Sequence, residues 1–404
     1  MKKPEEALKD FSKAISLRPD DPQYHIDRAD LYVSLKKERN AIEDYNKAIE
    51  LDPNDDYLYG YKANGLEELE KYNDSIIEYT KAIEIRNKGL AVKRKRRTIA
   101  DIKPGEVVRL AGERNWYARR AFLYINKEEY AKGIQDFTSE ININKSNAYY
   151  CLARAQAYQS TGDYAKSYKD LIQAYDKYTN DKLPEWAFND YIRVTKRCKV
   201  LMELGRYEEI LGIVDDFDRN ILKEKQVAGV LETRGSALWY LGKYKEAIND
   251  LLEANNLDAE NDVNNSLGLL YSYLGEYETS LKYYNNALKK EPDSLITKYN
   301  IAIVVANWKG VSNAKHEILR SKRQLEKLLG NEKETSRCYY GLGGLLAVQG
   351  DFDNSRKYLS QAIQISLDPV DWALHDIAWK KQREEPEFRK IVVSRAEFWK
   401  KYAD

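Results

Sequence analysis

The chain has 404 residues, with 66 Lys and Arg against 65 Asp and Glu, so its net charge of +1 excludes a whole-protein attraction to nucleic acid or an acidic membrane. That length exceeds one ordinary core, which leaves several domains or a repeat array. Gly and Pro are sparse, at 20 and 9, while Leu, Ala, Glu, Lys and Tyr abound, a helical profile.

Taken in order, the opening "MKKPEEALKDF" turns charged at once and shows no apolar leader. It runs into a helix that lacks a preceding partner, read as a cap or a truncated start. Next come "AIEDYNKAIELDPND" (41–55) and "SIIEYTKAIEIRNKG" (75–89), and later "AINDLLEANNLDAEN" (247–261) and "SLKYYNNALKKEPDS" (280–294). Each has a small residue, an aromatic or Leu four later, then Ala three after that. Those offsets place all three on one helix face, where small residues admit a neighbouring helix. Between helices stand "TGDYAKS" (161–167), "LGRYEEI" (204–210), "LGKYKEA" (241–247), "LGEYETS" (274–280) and "QGDFDNS" (349–355). There Gly ends one helix and the aromatic two later pins the next onto it.

These residues resemble the tetratricopeptide repeat, with small residues at repeat positions 8 and 20, Gly at 15, aromatics at 11, 17 and 24, and Ala at 27. The resemblance implies an all-α, right-handed superhelical solenoid of about nine to ten helix-turn-helix units. It also implies a non-catalytic interaction scaffold that binds a peptide or helix in its concave groove. Position 27 falls at Ala14, Ala48, Ala82, Glu140, Ala174, Phe217, Ala254, Ala287 and Ala362. Uneven spacing divides the chain into N-terminal units (1–87), a basic loop and helix extension (88–113), and a main array (114–369). Within the array, connections are stretched near 182–190 and 318–335, and residues 370–404 are read as capping helices punctuated by Trp372, Trp379, Phe388, Ile391 and Phe398. The helix containing Trp116 is expected to begin near Gly105, after Pro104.

In the family, certain first-helix positions line the groove. Carried onto this chain they offer Tyr61, Asn64, Arg119, Asn126, Gln156, Lys196, Lys199, Trp239, Tyr240, Asn265, Tyr273 and Asn300. Tyr, Asn and Gln there can hydrogen-bond a peptide backbone, and Trp239 can anchor one apolar side chain. Many of the 32 tyrosines fall at packing positions instead, so their abundance alone is architecture. The family's clamp for chaperone C-terminal tails needs Lys, Asn and Arg where this chain has Ile26, Asp27, Asp30, Tyr57 and Tyr61. Acidic groups would repel a carboxylate, so that partner is disfavoured.

Signals for catalysis are weak. "GLGGLL" (341–346) falls within a first helix and follows no strand, so it does not aim backbone N–H groups at phosphate. "DAEND" (258–262) lacks the Gly and closing Glu of a calcium loop. Three scattered cysteines fit reduced thiols of a cytoplasmic protein, and His25, His316 and His375 stand apart; no enzyme activity, cofactor or metal is expected, nor a membrane span. The run Lys93, Arg94, Lys95, Arg96 and Arg97 is read first as a solvated connector. It stays open as an anion contact, through which the alternative function would be nucleic-acid association, or as a localisation signal.

Overall fold

The computed structural model describes residues 4–87, 115–145, 147–180, 190–215, 223–258, 262–329 and 334–403, with backbone only at 180 and 190–193. The basic run 93–97, the basic loop and helix extension expected over 88–113, the connection near 182–190 (except at 190) and Phe217 lie outside those residues. The fold is an all-α repeat solenoid, divided into two compact units at residues 161 and 162.

In the first unit, α1 (Pro4–Leu17) precedes the pairs α2 (Pro22–Ser34) with α3 (Glu38–Leu51) and α4 (Asp56–Glu68) with α5 (Tyr72–Asn87). The pair α6 (Trp116–Asn126) with α7 (Tyr130–Ile143) follows, then α8 (Ala148–Ser160). Asp21, Asp55 and Asn147 each accept a backbone N–H two residues on, at 3.0 Å, and so cap the exposed helix starts. Tyr45 is buried against α4, and a Cβ on Gly65 would sit 2.4 Å from its hydroxyl. The close approach that the small-residue pattern requires is therefore real.

The second unit begins with α9 (Tyr164–Asn180), followed by α10 (Asp190–Leu204) with α11 (Tyr207–Asp215) and α12 (Glu224–Tyr240) with α13 (Tyr244–Leu257). Then come α14 (Asn264–Tyr273) with α15 (Tyr277–Lys290), α16 (Leu295–Lys309) with α17 (Lys315–Leu328), and α18 (Thr335–Gln349) with α19 (Phe352–Ile365). Ala48, Ala82, Ala174, Ala254 and Ala362 are wholly buried, as the register demands. Gly205, Gly242, Gly275 and Gly350 turn between paired helices at φ of 69° to 85°, the left-handed region a side chain disfavours. The hydroxyls of Ser75 and Ser280 donate to the carbonyls of Ala63 and Gly268 twelve residues back, at 2.9 and 2.6 Å, giving the small position a second use.

Three expectations change. The helix carrying Trp116 starts at Trp116, not near Gly105, because Asn115 leaves the helical region at φ −94°, ψ 40°. The indole of Trp116 then donates to Asp56 at 2.9 Å, which fixes this start against α4. Residues 318–328 are not a stretched connection: they belong to α17, whose Ile318, Ser321 and Leu325 are buried. Finally, residues 368–403 do more than cover the last pair. They form α20 (Asp368–His375), a 3-10 turn at Ile377–Trp379, α21 (Pro386–Ile391), α22 (Arg395–Trp399) and a second 3-10 turn at Lys400–Tyr402.

Candidate functional site

Within the second unit, α10, α12, α16 and α18 meet this returning segment through Glu203, Tyr240, Tyr299 and Tyr340. Phe388 packs on Trp379 at 6.0 Å, and Arg356 of α19 reaches Glu385 at 2.7 Å, so one part does cap the last pair. The segment then continues across the unit. Arg395 bonds Asp371, Asp368 and Glu203, and the Trp399 indole donates to the Glu203 carbonyl at 2.7 Å. Tyr164 on α9 meets Phe398 at 5.0 Å edge to face.

Between these anchors, His375 and Asp376 press into the first-helix face. The His375 ring lies 6.0 Å from Trp239 and 6.3 Å from Tyr240, with the Tyr244 hydroxyl 3.1 Å from Nδ1. Burial, then the Arg383 charge, pushes this imidazole down to about 4. Asp376 is buried; its Oδ2 accepts from Tyr340 at 2.9 Å and Tyr299 at 3.1 Å, and its Oδ1 from the Ala378 N–H at 2.8 Å. Desolvation raises its carboxyl and holds the Tyr299 and Tyr340 hydroxyls well above the ordinary phenol range.

A cavity of about 630 Å³ stays open beside this contact. Trp239, Asn265, Tyr273, Tyr299, Asn300 and Tyr340 form its helix side, and Trp372 and Asp376 of the returning segment close it. The rings of Trp239 and Tyr273 are parallel within 4°, with centroids 6.4 Å apart. Asn265 accepts the Thr297 hydroxyl at 2.7 Å, which orients its amide. The "GLGGLL" stretch now has a physical meaning as well. A Cβ on Gly344 would meet the Tyr299 hydroxyl at 2.1 Å and one on Gly343 would meet Trp379 at 2.9 Å, so these glycines let the aromatic wall close.

The sequence pattern of the tetratricopeptide repeat matches residues 22–55, 228–261, 262–294 and 336–369. These four stretches are tetratricopeptide repeats. The crystal structure of apo RapI is similar over 83% of this chain and 97% of that one, at 14% identity and a TM-score of 0.51, a likeness of fold. Yeast Tom70 covers 96% of this chain and 95% of its own at 15% identity and a TM-score of 0.36. MamA covers 41% and 95% at 20% identity and a TM-score of 0.34. No curated protein matches the chain. Tetratricopeptide arrays are protein-interaction scaffolds and typically non-catalytic.

Of the groove residues expected in this tetratricopeptide array, Trp239, Asn265, Tyr273 and Asn300 come together around the cavity. Tyr240 does not line it: its ring stacks on Tyr207 at 4.6 Å. Lys196 and Lys199 lie on α10 and do not line it either. In the first unit Tyr61 is half-buried against the cluster around Ile26, and Asn64 takes the Tyr79 hydroxyl at 2.5 Å. Arg119, Asn126 and Gln156 are exposed there. Trp372 and Asp376 were missed, because only folding brings them beside helices that are distant in sequence.

Among the described residues, no group of three or more His, Cys, Asp or Glu could hold a metal, and no helix is long and apolar enough to cross a membrane. Cys151, Cys198 and Cys338 are buried and are not joined to one another in a disulfide. Burial pushes the Cys198 thiol up to about 11 and raises Cys338, which lowers their nucleophilicity.

Proposed function

We propose that this chain is a cytoplasmic, non-catalytic adaptor that holds a peptide segment of a protein partner on the first-helix face of its second unit. The observation that carries this reading is the cavity of about 630 Å³, around which Trp239, Asn265, Tyr273 and Asn300 converge. Its size suits one or two side chains rather than a folded surface, and it combines aromatic walls with a few fixed polar groups, the makeup of a ligand site. Amides at Asn265 and Asn300 suit a peptide backbone, while Trp239 and Leu269 offer apolar contact. Three buried cysteines not joined in a disulfide favour a reducing compartment.

Ile296 lines the cavity and is 53% exposed, which makes it a place for a photocrosslinking residue. Crosslinking in the native host should label a partner peptide at this position, and Trp239→Ala together with Asn300→Ala should abolish the label while helicity is kept. Equal labelling of the folded variant and the parent would refute the assignment.

A further inference from the structure

Asp376 is a buried carboxylate on the wall of an aromatic cavity. It takes three hydrogen bonds, from Tyr299, Tyr340 and the Ala378 N–H. Among the described residues, no Lys or Arg forms an ion pair with its side chain. The nearby Arg383 donates to the Asp376 backbone carbonyl, so its charge acts on the carboxylate only through space. Such a charge is costly to hold dry unless a counter-charge arrives.

The remaining charges on the cavity point the same way. Glu334 and Arg337 offset each other at 3.6 Å, which leaves Glu291 at the exposed rim. Aromatic rings make up much of the wall: Trp239, Tyr273, Tyr299, Tyr340 and Trp372. Their faces attract cations, and a tyrosine whose hydroxyl donates to a carboxylate has a more electron-rich ring. Trp372 stands edge to face with Tyr340 at 5.3 Å, and Tyr299 is 6.3 Å from Tyr340, so these rings cluster at the carboxylate.

We infer that the cavity is a cation-selective subsite that receives the Arg or Lys side chain of the bound peptide, with Asp376 as its counter-charge and the rings as its walls. This deepens the peptide-binding reading and rests on it. A basic side chain fits within the cavity's volume of about 630 Å³, and the neighbouring Asn265 and Asn300 hold the backbone to either side.

The test pans a random linear dodecapeptide library on the full chain, keeping the binders that are lost on Trp239→Ala. Those binders should carry Arg or Lys. Replacing the Arg by citrulline, or the Lys by norleucine, should weaken binding about 30-fold, the scale of a desolvated cation–π contact with its ion pair. Asp376→Asn should erase that difference, and Glu291→Gln, at the exposed rim, should reduce it about threefold should the first variant fail to fold. Trp239-dependent binders without a basic residue, or indifferent to its neutralisation, would overturn the cation subsite and leave the peptide groove standing. Absence of any Trp239-dependent binder would overturn both. Agmatine displacing the peptides at equal affinity would overturn the peptide source, making the ligand a free amine.

Discussion

Arg395 and Asp371, 24 residues apart and both almost wholly buried, meet at 2.7 Å. The same guanidinium reaches Glu203 at 3.1 Å on α10, so one side chain ties the returning segment to itself and to an early helix of the unit. Desolvation raises the Asp371 carboxyl, and the Arg395 charge opposes that shift. Removing Arg395 leaves Asp371 buried with its counter-charge gone, a change that costs about 3–5 kcal/mol for such pairs. We expect Arg395→Ala to release residues 395–403 while the helix pairs stay folded. Amide exchange in α22 should accelerate far more than exchange in α12 or α18; uniform acceleration would contradict a local anchor.

A second ion pair repeats along the chain. Arg28 grips Asp44 at 2.6 and 2.7 Å, Arg120 grips Asp136 at 2.7 and 2.8 Å, and Arg234 grips Asp250 at 2.7 and 2.6 Å. Each pair spans 16 residues, from a first helix to its partner, and Lys62 meets Glu78 in the same way. Two-pronged contacts of this kind fix the crossing of the two helices. Asp136→Ala is expected to destabilise α6 and α7 by about 3 kcal/mol, and the double variant with Arg120→Ala by less than the sum of the two singles. Repeat arrays open in parts, so the cycle is best read by amide exchange in α7. Additive effects would mean that the pair contributes nothing beyond packing.

What the sequence made legible was the local grammar of the repeat. Buried alanines at position 27 and glycine turns follow from how one helix must pack on the next, so spacing alone reveals them. The 16-residue Arg–Asp rung was also present in the sequence, at 28 and 44, 120 and 136, and 234 and 250. Groove positions alone would place Asn64 and Tyr240 in the site, whereas Tyr79 and Tyr207 claim them for packing. The return of residues 368–403 had no local signature. His375 meets Tyr244 across 131 residues, and no periodicity encodes such a pairing. The wall of the candidate site formed by Trp372 and Asp376 depends on that return.

The turns between paired helices differ between the units in a way that stability should report. Gly275 turns at φ 78°, but in the first unit Glu70 holds the same kind of turn at φ 62° with a side chain. A left-handed non-glycine residue costs about 1–2 kcal/mol, partly offset by the chain entropy that glycine loses on folding. Glu70→Gly should therefore stabilise the α4–α5 pair by up to about 1 kcal/mol, and Gly275→Ala should destabilise α14–α15 by a similar amount. Thermal melts of the two variants should move in opposite directions. A fall in Tm for Glu70→Gly would show that its side chain makes a compensating contact.

His375 makes the docking of the returning segment depend on pH. It faces Trp239 and Tyr240 from α12 and Tyr244 from α13, with the Arg383 charge nearby and the Asp376 carboxyl next in the chain. Burial and Arg383 lower its pKa from 6.5 to about 4 in the folded state. Below pH 6.5 the unfolded segment takes a proton that the docked one refuses, so stability is full above 6.5 and drains as pH falls toward 4. At pH 4.5 the loss amounts to about 2 kcal/mol after allowing for partial exposure. Asp371 and Asp376 act in the opposite sense, since a raised carboxyl pKa lets the folded state bind protons first and recovers stability as pH falls. The histidine's part is isolated by comparing the parent with His375→Gln, which keeps a polar partner for Tyr244. Between pH 7 and 4.5 the parent should lose more protection of residues 376–379 against amide exchange than the variant does. Parallel losses in the two proteins would place the proton uptake elsewhere.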